Sequence, residues 1–325
     1  MSAQRSVTLA VIAALLGAAT AQAADTYPRR PLRFVVGFLP GGPSDTIARV
    51  VGAKLGEGLG QAVIVDNRAG AGGNVSAEIV AAAPPDGHTI LLGTGGPLVI
   101  APVIGQKLGF DPDRDLAPVS TLGDSMSILC AHPSLAANSV KELVALARAR
   151  PGDINYASSG VGTANHLAAE LLSSMANIKL SHVPYKGSGA ALPALIGGEV
   201  KLGVGPLLPA IPHVKAGRLK ALGVTGLKRS PAAPEIPTIA EQGLPGYEVN
   251  SWYGVFVPAK TPKPVVSRLH REIVRVTALP EVKERLSRDG VEAGSSTPEA
   301  LQQVVMAEKR LWTKVIREAN IKVVQ

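Results

Sequence analysis

The chain has 325 residues, a formal net charge of +8, only 3% aromatic residues and a single cysteine. One cysteine excludes an intrachain disulfide, so the fold must hold by packing alone. The charge would admit nucleic acid, but the basic residues are scattered near predicted helix ends ("LVALARARPG", "VKAGRLK") and no Lys/Arg cluster is interleaved with stacking aromatics, which excludes that partner.

The first residues, "MSAQRSVTLAVIAALLGAATAQAAD", carry one Arg, an apolar run from Val7 to Ala19, and the small-x-small site Ala21-Gln22-Ala23. That order of features predicts a secretory leader over residues 1–23 and an exported, soluble mature protein. The run falls short of the roughly 20 apolar residues that a membrane span needs.

Beyond the leader, apolar or alternating runs of strand length recur: "RFVVGF", "AVIVDN", "TILLGT", "SILCAH", "INYASS", "LSHVPY", "KLGVGP", "KALGVTG" and "YGVFVP". Helical stripes lie between them. Ile47, Val51, Leu55 and Leu59 recur every four residues; Val140, Leu143, Val144 and Ala147 follow Ser139 as a cap; Leu167, Leu171, Leu172 and Met175 follow Thr163. This alternation predicts an α/β fold of two mixed, mostly parallel sheets flanked by helices, with a cleft between two domains. The C-terminal third reads as three helices in succession, the last starting at Thr297-Pro298 with Leu301, Val304, Val305, Leu311, Trp312 and Val315 on one apolar face. Strand-like crossings near Ser125–Ala131 and Val249–Val255 divide the chain into 24–126, 127–248 and 249–325, the first and last forming one domain. Cys130, inside "SILCAH", reads as a buried strand residue.

Small-residue loops follow the strands directly: "FLPGGPSD", "GTGGP", "ASSGVGT" and "GVGP". Ligands of open α/β sheets bind outside the carboxyl ends of strands, where such loops gather. In the first, a Pro-Gly-Gly turn runs into a helix, so unpaired backbone N–H groups are aimed at one point and favour an anion. In "ASSGVGTANHLAAE", Ser158 and Ser159 supply hydroxyls, and Gly162 and Thr163 sit at a helix start suited to a carboxylate. His166, one turn in, is either an ordinary helix residue or a ligand contact. Enzymatic signatures are missing: the sequence has no G-x-S-x-G elbow, no G-x-x-x-x-G-K-[ST], no H-E-x-x-H and no CxxC pair, and its six histidines are scattered singly. Neither a metal nor a cofactor is expected.

The ordered series "YPRRPLRFVVGFLPGGPSDTIAR", "VDNRAGAGGNVSAEIVAAAPPDGHTILLGT", "NYASSGVGTANHLAAELL", "HVPYKG" and "SPAAPEIPTIAEQGLPGYE" resembles the Bug family of substrate-binding receptors of tripartite tricarboxylate transporters, from Tyr27 to the C-terminus. The resemblance implies a non-catalytic periplasmic binding protein of the two-domain, type II-like kind. Such a protein acts as a monomer, captures a small organic carboxylate and passes it to a membrane transporter. It implies that the loop Phe38–Asp45, with Phe38, Pro40, Gly41, Gly42, Ser44 and Asp45, and the loop Thr94–Pro97, with Thr94 and Gly95, grip one carboxylate partly through ordered water. The loop Ser158–Thr163 faces them from the other domain. "NRAGAGGN" reads as a structural turn into the helix from Asn74.

One departure stands out. Members that bind amino acids commonly carry an Asp after the strand matching "KLGVGP", and here the aligned residue is Gly205. An ammonium would lack its partner there, which implies a mono- or dicarboxylate without an α-ammonium. Val204, Pro206, Leu207 and Leu208 are candidate apolar walls, Phe38 a cover for one face of the solute, and Tyr185 and Lys186 candidates for a second polar contact. The alternatives are an exported α/β hydrolase using Ser158 or Ser159 with His166, disfavoured by the missing elbow, and a sensor partner of a membrane kinase.

N-terminal sequencing of the exported protein should begin at Ala24 or within a residue or two; a retained Met1 would refute the leader.

Overall fold

The computed structural model describes residues 27–288 and 290–318, so the expected leader lies outside the described residues. The architecture follows from one long strand. β1 (Leu32–Val36), β2 (Val63–Asn67) and β3 (Thr89–Gly93) pair in parallel, in the order β2-β1-β3, as strands joined by helical crossovers do. β4 (Leu116–Ala131) then runs sixteen residues, long enough to pair with different neighbours along its two halves. β5 (Asn155–Ser158), β6 (Ser181–Pro184), β7 (Leu202–Pro206) and β8 (Lys220–Val224) build a second group, and β9 (Asn250–Pro258) returns the chain to the first. A short β10 (Val291–Ala293) adds to β4. The path through the sheet is β2-β1-β3-β9-β4-β7-β5-β6, with β8 and β10 also on β4.

β4 pairs antiparallel with β9 from Leu116↔Pro258 to Met126↔Asn250, and with β7 from Ser127↔Pro206 to Ala131↔Leu202. One continuous strand therefore belongs to both groups, and the changeover falls between Met126 and Ser127. Thr225 fastens this point. Its N–H donates to the Ser127 carbonyl (2.9 Å), its hydroxyl accepts from the Ser127 N–H (3.1 Å), and its own carbonyl accepts from the Val249 N–H (3.0 Å). Four ladders are parallel and five antiparallel among the described residues, and every antiparallel one contains β4 or β9. The sheet is mixed because the two crossing strands must run against their neighbours.

The helices cover the sheet as their apolar spacing predicts. In α1 (Pro43–Leu59), Ile47, Val51, Leu55 and Leu59 are all buried. After α2 (Asn74–Ala81), α3 (Val140–Ala149) buries Val140, Leu143 and Ala147 under a Ser139 cap that accepts from the Glu142 N–H (3.2 Å). In α4 (Ala164–Ala176), Leu167, Leu171 and Leu172 face the core, while Met175 is exposed. α5 (Ser188–Ile196) and α6 (Leu207–Lys215) pack on the second group of strands, and α7 (Lys263–Ala278) and α8 (Pro280–Ser287) pack on the first.

The last helix, α9 (Pro298–Glu318), starts where expected, with Thr297 Oγ1 accepting from the Ala300 N–H (3.1 Å). Its apolar face is narrower than the sequence suggests. Leu301, Val305 and Trp312 are buried, but Val304 and Leu311 are exposed, because the helix lies across the sheet and only one narrow stripe reaches it. Among the described residues, no helix is long and apolar enough to cross a membrane.

Leu301 is the anchor of α9. A Cβ added to Gly254 of β9 would lie 2.8 Å from Leu301 Cδ2, so the leucine packs directly onto strand backbone. Leu301→Ala should lower the unfolding free energy by about 3 kcal/mol, read as a reduced urea midpoint with an unchanged slope.

Candidate ligand cleft

The turn after β1 is made by residues with little choice. Gly41 has φ +91°, a conformation that an L side chain strains to adopt. Gly42 is the N-cap of α1 and Pro43 fills its first position, where the missing N–H costs nothing. The first intrahelical bond is Thr46 N–H to the Gly42 carbonyl (3.1 Å), and no side chain caps this end. The amides of Ser44 and Asp45 therefore have no carbonyl behind them.

The Asp45 carboxylate does not face the cleft. It accepts from the Gly41 N–H (3.2 Å), from Arg49 Nε (3.0 Å) and from Asn67 Nδ2 (3.0 Å), which also donates to the Phe38 carbonyl (3.0 Å). Burial works against its charge, but the hydrogen bonds from Arg49, the Gly41 amide and Asn67 outweigh burial and hold the carboxyl below its ordinary range. It stays ionised and keeps the turn in shape. The stability it contributes is complete above the unfolded value, about 3.9, and is lost only as pH falls through the lowered folded value.

From the second group of strands, α4 aims its N-terminus at the same place. Thr163 is the cap. Its hydroxyl donates to the Gly160 carbonyl (2.8 Å) and accepts from the His166 N–H (3.4 Å), leaving the amides of Ala164 and Asn165 as the open donors of this end. The Gly162 N–H is already taken, donating to His166 Nδ1 at 3.1 Å. His166 is thus a buried prop beneath the loop, not a cleft-lining residue. Its ring stacks on His182 with centroids 4.1 Å apart, and His182 Nε2 lies 2.6 Å from Ser158 Oγ. Burial, aided by the neighbouring ring, lowers His166 to about 3, and burial lowers His182 to about 4, so both imidazoles are neutral near pH 7.

Between these helix ends lies a polar cavity of about 60 Å³. Of the residues picked out in sequence, Phe38, Gly42, Ser44, Thr94, Gly95, Ser159 and Thr163 line it. Gly41, Gly42 and Gly205 line a second, apolar cavity of about 160 Å³ that shares Gly42, Pro43, Ser188 and Pro206 with the first. Pro40, Asp45, Ser158, Gly162 and His166 line neither; the last four hold the two loops in place through the bonds above. The apolar walls include Ile128, Cys130, Leu192, Leu195 and Val204, with Pro209 and Ala210 in place of Leu207 and Leu208. Leu207 is in the core instead. Burial pushes the Cys130 thiol up to about 12, so it is an unreactive apolar wall. Tyr185 and Lys186 border a separate hollow.

Sequence reasoning passed over several residues. Asn165 is the centre of a buried polar chain: its Oδ1 accepts from Ser127 Oγ (2.9 Å), its Nδ2 donates to Ser159 Oγ (2.5 Å), and Ser159 Oγ lies 3.1 Å from Ser188 Oγ. A polar residue in the first turn of α4 was its only signal. Ser125, Asn250 to Tyr253, and Glu308 from α9 complete the polar wall. Nothing local in sequence distinguishes Glu308 from the other acids of an amphipathic helix.

The two halves touch around the cleft. The Leu39 N–H donates to the Lys186 carbonyl (3.2 Å), and a Cβ on Gly189 would lie 3.1 Å from the Pro40 carbonyl oxygen. The turn Ala71–Gly73 fits equally tightly, since a Cβ on Gly72 would lie 2.3 Å from the Val161 carbonyl oxygen. Among the described residues, neither cavity is lined by a Lys or Arg. The arrangement presents backbone N–H groups and hydroxyls to an anion at one end and an apolar enclosure at the other.

Comparison with known proteins agrees with this geometry. The family model described as "Tripartite tricarboxylate transporter family receptor" matches residues 47–321. A curated relative, the "UPF0065 protein in tcbD-tcbE intergenic region" of Pseudomonas sp. (strain P51), is 42% identical over 302 residues, covering 93% of this chain and 90% of that one. Protein BugT of Bordetella pertussis is 34% identical over 315 residues, 97% of each chain. Among solved structures, R. palustris Rpa4515 with adipate superposes with a TM-score of 0.86 at 37% identity, covering 91% of this chain and 99% of that one. The α/β architecture, the cleft between two groups of strands and the matched span converge on one conclusion: the chain belongs to the Bug family of tripartite tricarboxylate transporter receptors, which are periplasmic binding proteins and not enzymes.

Proposed function

We propose that the protein captures a small organic carboxylate without an α-ammonium group and delivers it, as a monomer, to a tripartite tricarboxylate-type membrane transporter. The carboxylate sits between the N-termini of α1 and α4, held by backbone N–H groups, hydroxyls and bridging water. The two lobes, 24–126 with 249–325 and 127–248, close over it about the crossings at Ser125–Ser127 and Val249–Ser251.

The observation that carries the ligand class is Gly205. A Cβ there would meet nothing within 4 Å, so the position opens onto the apolar cavity. An ammonium buried against these walls would lack a partner and cost several kcal/mol, on the order of 3. A methylene chain or a ring fits instead, since dry apolar cavities of about 150 Å³ accept a body the size of benzene. The solved relative with adipate, a dicarboxylate joined by methylenes, supports the same class.

Calorimetric titration with adipate, citrate, nicotinate, terephthalate, aspartate and glutamate tests the reading; tightest binding of an amino acid would refute it. Gly205→Asp should fold, because the added side chain enters open space, and should weaken adipate by roughly tenfold or more while admitting aspartate or glutamate. Asp45→Ala, which releases the Gly41 amide and Asn67, should weaken every bound carboxylate by about tenfold in the same titration.

A further inference from the structure

Among the described residues one charged side chain lines the cleft, and it has the wrong sign for an anion site. Glu308 projects from α9 into the wall of the polar cavity. Its Oε2 accepts from Trp252 Nε1 at 2.5 Å, and a Cβ built on Gly95, in the turn after β3, would lie 3.2 Å from the same oxygen. No cation pairs with it among the described residues. Lys309, next in the chain, is turned to Asp113 at 2.6 Å. The turn Gly96–Ile100 and the short helix Ala101–Val103, both packed on α9, carry no titratable side chain. β9 offers the Tyr253 phenol, hydrogen-bonded to Ser125 Oγ at 3.3 Å, and β4 offers Asp124, the register partner of Trp252. Every titratable neighbour is therefore neutral, acidic or already paired.

Building on the carboxylate-receptor reading, we infer that Glu308 is a specificity-determining residue of the cleft that takes up a proton from solvent when a carboxylate enters, so that capture of the ligand is linked to proton uptake. Two carboxylates sharing a cleft without a cation cannot both stay ionised at low cost. A neutral Glu308 removes the repulsion and becomes an O–H donor to the incoming anion, while its other oxygen continues to accept from the indole. The environment favours this change. Burial pushes the Glu308 carboxyl up to about 7, against the opposing pull of hydrogen bonds from Trp252 and Trp312. The bound anion raises it further. Affinity is therefore full below pH 7 and declines above it, by up to tenfold per pH unit until the value in the complex is passed.

The chain has two tryptophans: Trp252 donates to Glu308, and Trp312 lies one turn further along the helix that carries Glu308. Intrinsic fluorescence thus reads its ionisation directly. The mature full-length protein should show a fluorescence transition with a midpoint near pH 7, which moves up by a unit or more with saturating adipate and vanishes in Glu308→Gln. Adipate, doubly ionised from pH 6.5 upward, should bind about tenfold more weakly at pH 8.5 than at pH 6.5. Titration of the parent protein in two buffers of different ionisation enthalpy should register roughly half a proton or more taken up at pH 8, a measurement that does not depend on the variant folding. The inference is overturned, with the receptor reading intact, if carboxylates bind with pH-independent affinity or the transition persists in Glu308→Gln. Affinity that rises with pH through 7 also overturns it, since Glu308 would then accept from a ligand donor. If no carboxylate of the panel binds at any pH, the receptor reading falls and this inference with it.

Discussion

Everything at the cleft depends on β4 being hydrogen-bonded on both sides of residue 126. A helix N-terminus is a weak anion site by itself, because its partial charge acts over about one turn and water competes for the same N–H groups. Two such ends aimed at one point from opposite sides make an enclosure, and the aim must be held by something stiffer than a loop. The sixteen-residue strand supplies that stiffness, since it is a member of both groups of strands and fixes how the α1 and α4 ends face one another. Thr225 adds hydrogen bonds from its amide, carbonyl and hydroxyl at the changeover, where the ladder to β9 ends and the ladder to β7 begins.

Around this frame, charge is kept out of the ligand's way. Asp45 is consumed by Gly41, Arg49 and Asn67, and the two histidines under the Ser158–Thr163 loop are neutral through burial. These groups would be candidates for catalysis if they faced the cavity. Their hydrogen bonds run instead to the loop backbone and to neighbouring side chains, which makes them fixtures that shape a recognition surface. Glu308 is the exception, a carboxyl set against indole and glycine with no counter-charge among the described residues.

Much of this was legible in the sequence, for reasons that can be traced to residues. The four-residue stripe Ile47–Leu59, the Ser139 and Thr297 caps, and the strand runs are local signals with local causes, and each appears where its periodicity indicated. The loops at 38–45, 94–97 and 158–163 were legible because small residues after strands have few other uses. What escaped was non-local. The first half of β4 and the short β10 carry no alternating pattern, since their pairing with β9 and with each other is settled by the crossing. Gly162 and Thr163 announced a helix start, but only the fold reveals that His166 had claimed the Gly162 amide. Asn165 and Glu308 reach the cavity from helices whose sequences look ordinary.

Because the grip on the carboxylate is proposed to rest on main-chain N–H groups, substitution leaves it largely untouched: nearly every residue brings the same amide. Position 205 is different, being a single side-chain site at the end of β7 that opens onto free space. The proposal therefore assigns recognition of the acid group and recognition of the body it carries to separate parts of the chain. On that proposal, a single substitution at 205 could change which acid is taken while leaving the main-chain grip intact, because glycine there builds no wall of its own.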